Sequence, residues 1–332
     1  MIQPGKVPND ILKEQIFNQL NFKRDEIVVY PSVGEDCSVL EFESDMQIVL
    51  STDPITGAIS EIGHLAVNIS CNDVSSAGAE PVGILVTLLL PVGATKEDIH
   101  CIMKDIHHTA KKNNVVILGG HSEVTDAVIR PIISTTVIGK VKKGELVCTN
   151  GAGVGDDVIL TKWAGIEGTS IIAHDYEQVL AKHLSQEIIE EAKALKEHLS
   201  VIEESKVIHQ VHVTSMHDVT EGGVLGGCYE VAECGEVGIT VELDKIPVLK
   251  CTKEICKCCG ISPYRLISSG SMIMTTPEGE KCVELLKEKG IEATIIGHIT
   301  PIEKKVRQAN LEYELVAPES DELYKVILHL KE

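Results

Sequence analysis

Hydrophobic and polar positions repeat with a helical period in the stretch 60–81, SEIGHLAVNISCNDVSSAGAEP, around which the rest of the chain is organised. Apolar residues from Ile62 to Ile69 fall on one side of a helix. Ser60 is a suitable N-cap, Gly78 is a suitable C-cap, and the following proline prevents continuation. The pattern therefore predicts a helix with one buried face.

Asp73 lies on the same apolar stripe, in the last turns of this predicted helix. The helix dipole disfavours a negative charge there, and an unpaired buried charge costs several kcal/mol. We therefore expect a bound cation to compensate the charge. Two alternatives stay open, namely a solvated carboxylate at the rim of the stripe or an ion pair with a lysine.

Other segments alternate between strand and helix patterns without a strict βαβ order, which favours an α+β fold. Strands are predicted at 27–30, 47–53, 82–90, 115–118, 129–141, 155–161, 211–216, 238–243, 271–275 and 293–299. Helices are predicted at 10–20, 95–106, 169–174, 184–205, 227–234, 252–259 and 278–289. A run of Lys, Gly and Asn at 142–155 predicts a boundary between two domains, 1–147 and 148–332.

Composition narrows the class of protein. The 332 residues carry a formal net charge of -20, and aromatic residues make up 3%, which argues against a nucleic-acid binder. No apolar run reaches the length of a transmembrane helix, and no secretory signal is recognised at the start. The eleven cysteines are scattered, which indicates reduced thiols and predicts a cytoplasmic protein.

Four aspartates share one context, because each lies where a regular element meets a turn. They are Asp36 in GEDCSVL, Asp53 in STDP, Asp73 in NDVSSAGAEP and Asp218 in HDVTEGG. Carboxylate ligands from several segments are what Mg²⁺ bound to a polyphosphate requires. Glycine-rich turns are predicted at 119–123, GGHSE, and at 221–227, EGGVLGG, where backbone N–H groups can approach phosphate oxygens.

Four cysteines are close together at Cys251, Cys256, Cys258 and Cys259. Their spacing is not typical of a zinc site, and on a helix Cys256 and Cys259 share a face that Cys258 does not. Helix thiols without a metal are the favoured interpretation. A thiol–metal site stays open as an alternative.

The motifs GEDCSVL, STDP, NDVSSAGAEP, GGHSE and HDVTEGGVLGG together resemble the aminoimidazole ribonucleotide synthetase-like (AIR synthase) superfamily in order and spacing. PGKVPNDIL and IPVLKCTKEICKCCGISPYRLISSGSM are similar to its hydrogenase-maturation branch, the HypE-like carbamoyl dehydratases. The resemblance implies an N-terminal domain that forms a β-barrel-like core with a second copy in a homodimer, and a C-terminal α+β domain beside it.

The resemblance also implies ATP and Mg²⁺ as cofactors, with residue roles carried over from the matching motifs. Asp36, Asp53, Asp73 and Asp218 would hold the metal, and three of them, Asp36, Asp73 and Asp218, would take part in catalysis. Nucleotide-binding positions would be Thr52, Asp53, Asn72, Gly119, Gly120, His121, Ser122, Gly222 and Gly223. The implied reaction phosphorylates an oxygen of a small-molecule or protein-borne amide or carbonyl.

Two departures from the branch keep other functions open. The carbamoyl dehydratases end in a reactive cysteine, whereas the last cysteine here is Cys282, in a predicted helix. Glu221 stands where the branch usually has an arginine. A nucleotide-binding scaffold that partners another maturation factor, and an AIR synthase or selenophosphate synthetase-type activity, are therefore alternatives. The acceptor itself is not indicated by the sequence.

Overall fold

The computed structural model describes residues 27–329 apart from 30–31, 36, 42–44, 57, 59 and 319. The helix predicted at 10–20 and the predicted metal ligand Asp36 lie outside the described residues. Two sheets, each packed against helices, form the two halves of the chain.

The first sheet has six strands in the order β1-β2-β3-β6-β4-β5. The strands are β1 (Ile27–Val29), β2 (Ser38–Glu41), β3 (Met46–Ile55), β4 (Glu80–Pro91), β5 (Val116–Thr125) and β6 (Ile132–Lys142). Only β4 and β5 pair in parallel. Buried residues alternate with more exposed ones along β3 and β6, so one face of the sheet packs inward and the other faces outward.

Two helices, α1 (Ile62–Ser76) and α2 (Lys96–Lys112), cover the inward face. The helix predicted from the apolar stripe is therefore present as α1. Its start differs from the prediction, because Glu61 in the left-handed region precedes the helix and Ser60 makes no cap. All fifteen residues of α1 are buried rather than one face, since the second half of the chain packs on its other side.

The second sheet has seven strands in the order β13-β12-β9-β11-β7-β10-β8, and only β9 and β12 pair in parallel. The strands are β7 (Asp157–Thr161), β8 (Ser215–Asp218), β9 (Gly238–Glu242), β10 (Met272–Thr276), β11 (Ala293–Thr300), β12 (Lys304–Gln308) and β13 (Leu311–Glu314). The predominance of antiparallel pairs confirms the α+β prediction.

Eight α-helices accompany this sheet in the described part of the second half. They are α3 (Ile166–Asp175), α4 (Glu177–Leu180), α5 (Gln186–Ala194), α6 (Ile202–Ser205), α7 (Gly223–Cys234), α8 (Lys250–Cys259), α9 (Gly279–Glu288) and α10 (Glu322–His329). The single helical region predicted at 184–205 is divided into α5, a 3-10 turn and α6. Residues 143–156 connect the two sheets, and the division at 147/148 stays a prediction.

The eleven cysteines, all of which lie within the described residues, form no disulfide bond. In the ranges that the structure describes, none of the helices combines the length and the apolar composition needed to cross a bilayer.

Candidate functional site

A cavity of about 510 Å³ lies between the two halves of the chain. Its walls come from the end of β3, from α1 and α3, from the turn between β8 and α7, from the segment before β10, and from the start of α10. Five carboxyl groups line it: Asp53, Asp73, Glu167, Glu221 and Asp321. The volume and the convergence of polar groups on partly apolar walls are typical of a small-molecule site.

Two of the predicted metal ligands meet in this cavity. Asp53 is half-buried in β3, and Asp73 is only 2% exposed near the end of α1. The hydroxyl of Ser51 donates a hydrogen bond of 2.5 Å to Oδ2 of Asp73. The prediction that Asp73 points inward is thus confirmed, and the alternative of a solvated carboxylate is wrong. Oxygen ligands from two separate segments suit a hard divalent cation such as Mg²⁺.

Asp218 occupies a different position from these two. It is the fully buried last residue of β8, and it does not line the cavity, whereas Thr220 and Glu221 just after it do. Across the residues with described positions, no three His, Cys, Asp or Glu side chains are grouped so that they would hold a metal ion.

The backbone amides at the glycine-rich start of α7 have partners within the chain. Gly222 donates its backbone N–H to Oδ2 of Asp321 at 2.7 Å, and the N–H of Gly223 bonds to the carbonyl of Thr220 at 3.1 Å. A carboxylate of the chain itself therefore lies at the helix N-terminus. The nucleotide-binding role of Gly222 and Gly223 stays a prediction.

The segment GGHSE also differs from the prediction, because it lies within strand β5 instead of in a turn. A side chain at Gly120, whose φ is +146°, would come within 1.8 Å of the carbonyl oxygen of Val86 in β4. The close approach of β4 therefore explains this glycine. His121 and Ser122 are exposed on the strand and do not line the cavity, and the side chain of His121 contacts Glu123 at 3.1 Å.

Thr52 and Asn72, two predicted nucleotide contacts, do not line the cavity either. Thr52 is exposed and pairs with Thr136 across the outward face of the sheet, on the opposite side from Asp53. The amide of Asn72 donates to the carbonyl of Leu199 at 2.7 Å and accepts from the N–H of Val201 at 2.9 Å. Asn72 thus joins α1 to the second half of the chain.

Sequence reasoning missed several residues of the cavity, above all Glu167 and Asp321. Burial raises the pKa of the Glu167 carboxyl to about 7. The negative charges of Asp321 and Glu221 add to this shift, and the polar groups of Ser269 oppose it. Burial likewise raises the pKa of Asp321 to about 7, against hydrogen bonds from the N–H groups of Leu323 and Gly222. A carboxylate inside the apolar stretch GIEGTSII is the same signal that identified Asp73, and it marks Glu167 as well.

Replacing Glu167 should change how stability depends on pH. The pKa of Glu167 is about 7 in the folded protein against an ordinary value of 4.5, so between these two values the folded state holds more protons than the unfolded state. The free energy of unfolding therefore falls as pH rises through this window, by up to about 3 kcal/mol from this group, and changes no further above it. We expect Glu167→Gln to lack this loss in urea unfolding curves recorded between about pH 4.5 and about pH 8.

Glu187→Gln is the control for this measurement, because Glu187 also stands in the first turn of a helix but is exposed. The control should follow the wild-type pH dependence. Parallel pH profiles for wild type and Glu167→Gln would contradict a buried carboxyl with a raised pKa.

The four clustered cysteines form part of helix α8 and its packing. Cys251 and Cys256 are buried, whereas Cys258 is exposed, in agreement with the predicted helix faces. Burial raises the pKa of Cys256 well above its usual range, and that of Cys259 to about 11, so both thiols stay protonated. The burial of Cys251 and Cys256 in the packing of this helix favours the interpretation as helix thiols.

Sequence comparison assigns the family. The profile of the N-terminal domain of AIR synthase related proteins matches residues 34–141, and that of the C-terminal domain matches residues 153–309. A putative hydrogenase expression/formation protein of Methanocaldococcus jannaschii is 30% identical over 316 residues, which are 91% of this chain and 90% of that protein. The chain therefore belongs to the AIR synthase related family, and within it resembles the hydrogenase expression/formation proteins.

Two further relatives differ in their activities. The carbamoyl dehydratase HypE of Cupriavidus necator is 27% identical over 250 residues, covering 72% of this chain and 68% of that protein. The selenide, water dikinase of Clostridioides difficile is 24% identical over 333 residues, covering 90% of this chain and 92% of that protein. The chain is thus similar to proteins with more than one chemistry.

Solved structures confirm the two-domain fold. HypE in a HypE–HypF complex superposes with a TM-score of 0.71 at 24% identity, covering 92% of this chain and 99% of that one. HypE in complex with ATP superposes with a TM-score of 0.71 at 19% identity, covering 98% of each chain. The fold is therefore that of the AIR synthase-like proteins.

Proposed function

We propose that this chain is an ATP- and Mg²⁺-dependent enzyme that phosphorylates an oxygen of a small-molecule or protein-borne amide or carbonyl. The observation that carries the proposal is the pair Asp53 and Asp73, which come from separate elements and line one cavity between the halves. The ATP complex of a HypE with the same fold supports nucleotide binding, and the HypE-like relatives support a role in hydrogenase maturation.

The residues of the cavity suit phosphoryl transfer, which depends on positioning and on neutralising charge. Asp53 and Asp73 would hold Mg²⁺ together with phosphate oxygens of ATP, and Asp218 and Asp36 stay candidate ligands. Arg130 also lines the cavity, and its guanidinium would pair with the transferred phosphoryl group. Mg²⁺ would supply the main positive charge against which the triphosphate is oriented.

We also propose that the protein is a homodimer that joins the outward faces of two N-terminal sheets. Large apolar side chains are exposed on the outward face of β4 and β5, among them Leu85 at 41%, Val116 and Leu118. An exposed apolar face of this kind is typical of an interface. A contribution of Gly119, Gly120, His121 and Ser122 to nucleotide binding stays a prediction, and it requires the second protomer.

A charge on this face should separate the protomers. We expect Leu85→Lys to shift the protein from dimer to monomer in sedimentation velocity, because a lysine would be desolvated at the apolar interface. Ile302→Lys is the control, since Ile302 is an exposed apolar residue of the second half. An unchanged dimer in Leu85→Lys, or a monomeric wild type, would contradict the proposed interface.

Phosphorus NMR of the protein with Mg-ATP tests the proposed reaction. The candidate acceptors are a carbamoylated maturation partner, formylglycinamidine ribonucleotide, selenide and thiamine monophosphate. We expect ADP to form only with a carbonyl- or amide-bearing acceptor. The HypE–HypF complex supports a maturation factor as the source of that acceptor.

Other outcomes of the same experiment select the alternatives. AMP formed with selenide would indicate selenophosphate-type chemistry. Bound ATP that is not consumed with any acceptor would support the alternative of a nucleotide-binding scaffold protein. The observation that favours this alternative is Glu221 in the cavity wall. Either outcome would contradict the proposed amide or carbonyl phosphorylation.

A further inference from the structure

Glu167 is held at the wall of the cavity by two glycines that flank it in the first turn of α3. The N–H of Gly165 bonds to Oγ of Ser268 at 2.6 Å, and the N–H of Gly168 bonds to the carbonyl of Ile267 at 3.0 Å. A Cβ atom added at Gly168 would lie 2.5 Å from the side chain of Leu266, so the segment 266–268 packs directly against α3. The position of Glu167 is therefore fixed by close packing.

The same packing brings Ser269 beside the Glu167 carboxyl, and both side chains line the cavity. Glu167 is 3% exposed, and its Oε2 has no hydrogen-bond partner among the described residues. The fully buried hydroxyl of Ser269 lies near enough to the Glu167 carboxyl to lower its pKa, but among the described residues it has no hydrogen-bond partner of normal geometry. Buried polar atoms are nearly always satisfied, so two adjacent exceptions that face a cavity point to a ligand.

The neighbouring carboxyl groups accept hydrogen bonds, which distinguishes them from Oε2 of Glu167. Asp321 accepts hydrogen bonds from the N–H groups of Gly222 and Leu323, and Glu221 accepts one of 2.9 Å from the hydroxyl of Tyr324. Glu167 makes no ion pair with any lysine, arginine or histidine whose position the structure describes. Its unused oxygen is therefore available to a bound molecule.

We propose that Glu167 and Ser269 form an acceptor subsite that binds a planar amide group, with an N–H of the amide on the Glu167 carboxylate and its carbonyl oxygen on the Ser269 hydroxyl. This subsite rests on the proposed function, because it would hold the acceptor beside the ATP site in the same cavity. Glu221 and Asp321 nearby disfavour an anionic group at this position, so a carboxylate in place of the amide is disfavoured. Glu167 is thus a specificity-determining residue.

Three small probes of the same shape test the subsite in the full chain: acetamide, acetamidinium and acetate. Ligand-observed NMR measures their binding with and without Mg-ATP. We expect acetamide and acetamidinium to bind wild-type protein at least about tenfold more tightly than acetate, since only they donate N–H groups. Equal or tighter binding of acetate would overturn the proposal.

Two variants separate this subsite from general effects on the fold. Glu167→Met keeps the length of the side chain but removes the acceptor oxygens, and Ser269→Ala removes the hydroxyl, so each should lose at least about tenfold in acetamide affinity, a factor that corresponds to one lost hydrogen bond. Glu187→Gln, at an exposed glutamate, should leave it unchanged. Acetamide affinity that is unchanged in both Glu167→Met and Ser269→Ala would overturn the proposal, and the thermal unfolding midpoint of each variant checks that it is folded.

Binding of acetamide and binding of Mg-ATP can be measured separately, so the two sites are tested independently. Wild-type protein that binds Mg-ATP but binds acetamide no better than acetate would remove the subsite and leave the nucleotide site. Wild-type protein that binds acetamide through Glu167 but does not bind Mg-ATP would support the subsite and contradict the ATP-dependent enzyme.

Discussion

Replacing Asp73 by asparagine is expected to weaken Mg-ATP binding by about 100-fold, or about 2.7 kcal/mol. Asparagine keeps the shape of the side chain and can still accept the hydrogen bond from Ser51, but it removes the negative charge that a divalent cation requires. Removing the buried charge of Asp73 does not disrupt helix α1, so the variant should fold normally. Isothermal titration calorimetry with Mg-ATP measures the effect.

Asp45→Asn is the matched control, because Asp45 is exposed and its backbone carbonyl, which the substitution keeps, accepts a hydrogen bond from the N–H of Lys143. Its affinity for Mg-ATP should equal that of the wild type. Asp218→Asn tests whether the residue behind the cavity wall also supports the metal. Unchanged affinity in both Asp73→Asn and Asp218→Asn would contradict the proposed metal site.

Replacing Gly223 by alanine should destabilise the protein by about 3 kcal/mol, from left-handed backbone strain and overpacking together. The φ of Gly223 is +61°, and an added Cβ would lie 2.7 Å from the carbonyl oxygen of Leu266 and 2.8 Å from that of Tyr264. These neighbours are backbone atoms and cannot move aside as a flexible side chain would. Chemical denaturation followed by circular dichroism measures the loss.

Gly260→Ala separates the two contributions, because Gly260 has a similar φ of +67° but no atom within 4 Å of the added Cβ. It should cost only about 1 to 2 kcal/mol, the strain of the left-handed region. If Gly223→Ala were as stable as the wild type but bound Mg-ATP poorly, the role of this glycine would be phosphate binding, against the hydrogen bonds described above.

The local patterns predicted the elements well where one short-range signal was decisive. The helix α1 was predicted from the spacing between Ile62 and Ile69, and the inward position of Asp73 followed from the same stripe. Its burial on every side was not predictable from this stretch. The residues that cover it, such as Leu199 and Val201, lie more than 120 positions further along the chain.

The glycine-rich segments show why motifs alone did not define the site. Consecutive glycines indicate close approach to the backbone, but they do not say what approaches. At Gly120 it is the neighbouring strand, and at Gly223 it is the segment before β10. The carboxylate that occupies the start of α7 belongs to Asp321, which is almost 100 residues away from Gly222 in sequence.

Glu167 could have been predicted from the sequence, although it is not part of any of the motifs. The reasoning used for Asp73, a charged residue within a helical apolar run, applies equally to Glu167 in the stretch GIEGTSII. The neighbouring Ser269 was not predictable, because the packing of Gly168 against Leu266 and backbone hydrogen bonds of Gly165 and Gly168 bring together two segments that are distant in sequence. Contacts between residues that are distant in sequence therefore determine the part of the site that could not be predicted from the sequence.

Hydrogen exchange with and without Mg-ATP reports where the nucleotide binds, and so it tests whether the cavity between the two halves is the nucleotide site. We expect slower exchange at the amides of the cavity wall, namely at Thr56, Arg130, Thr220, Glu221 and Tyr324. The hairpin of β12 and β13, which lies outside the cavity, should exchange at the same rate in both states. Protection confined to that hairpin, or no protection at saturating Mg-ATP, would contradict nucleotide binding in this cavity.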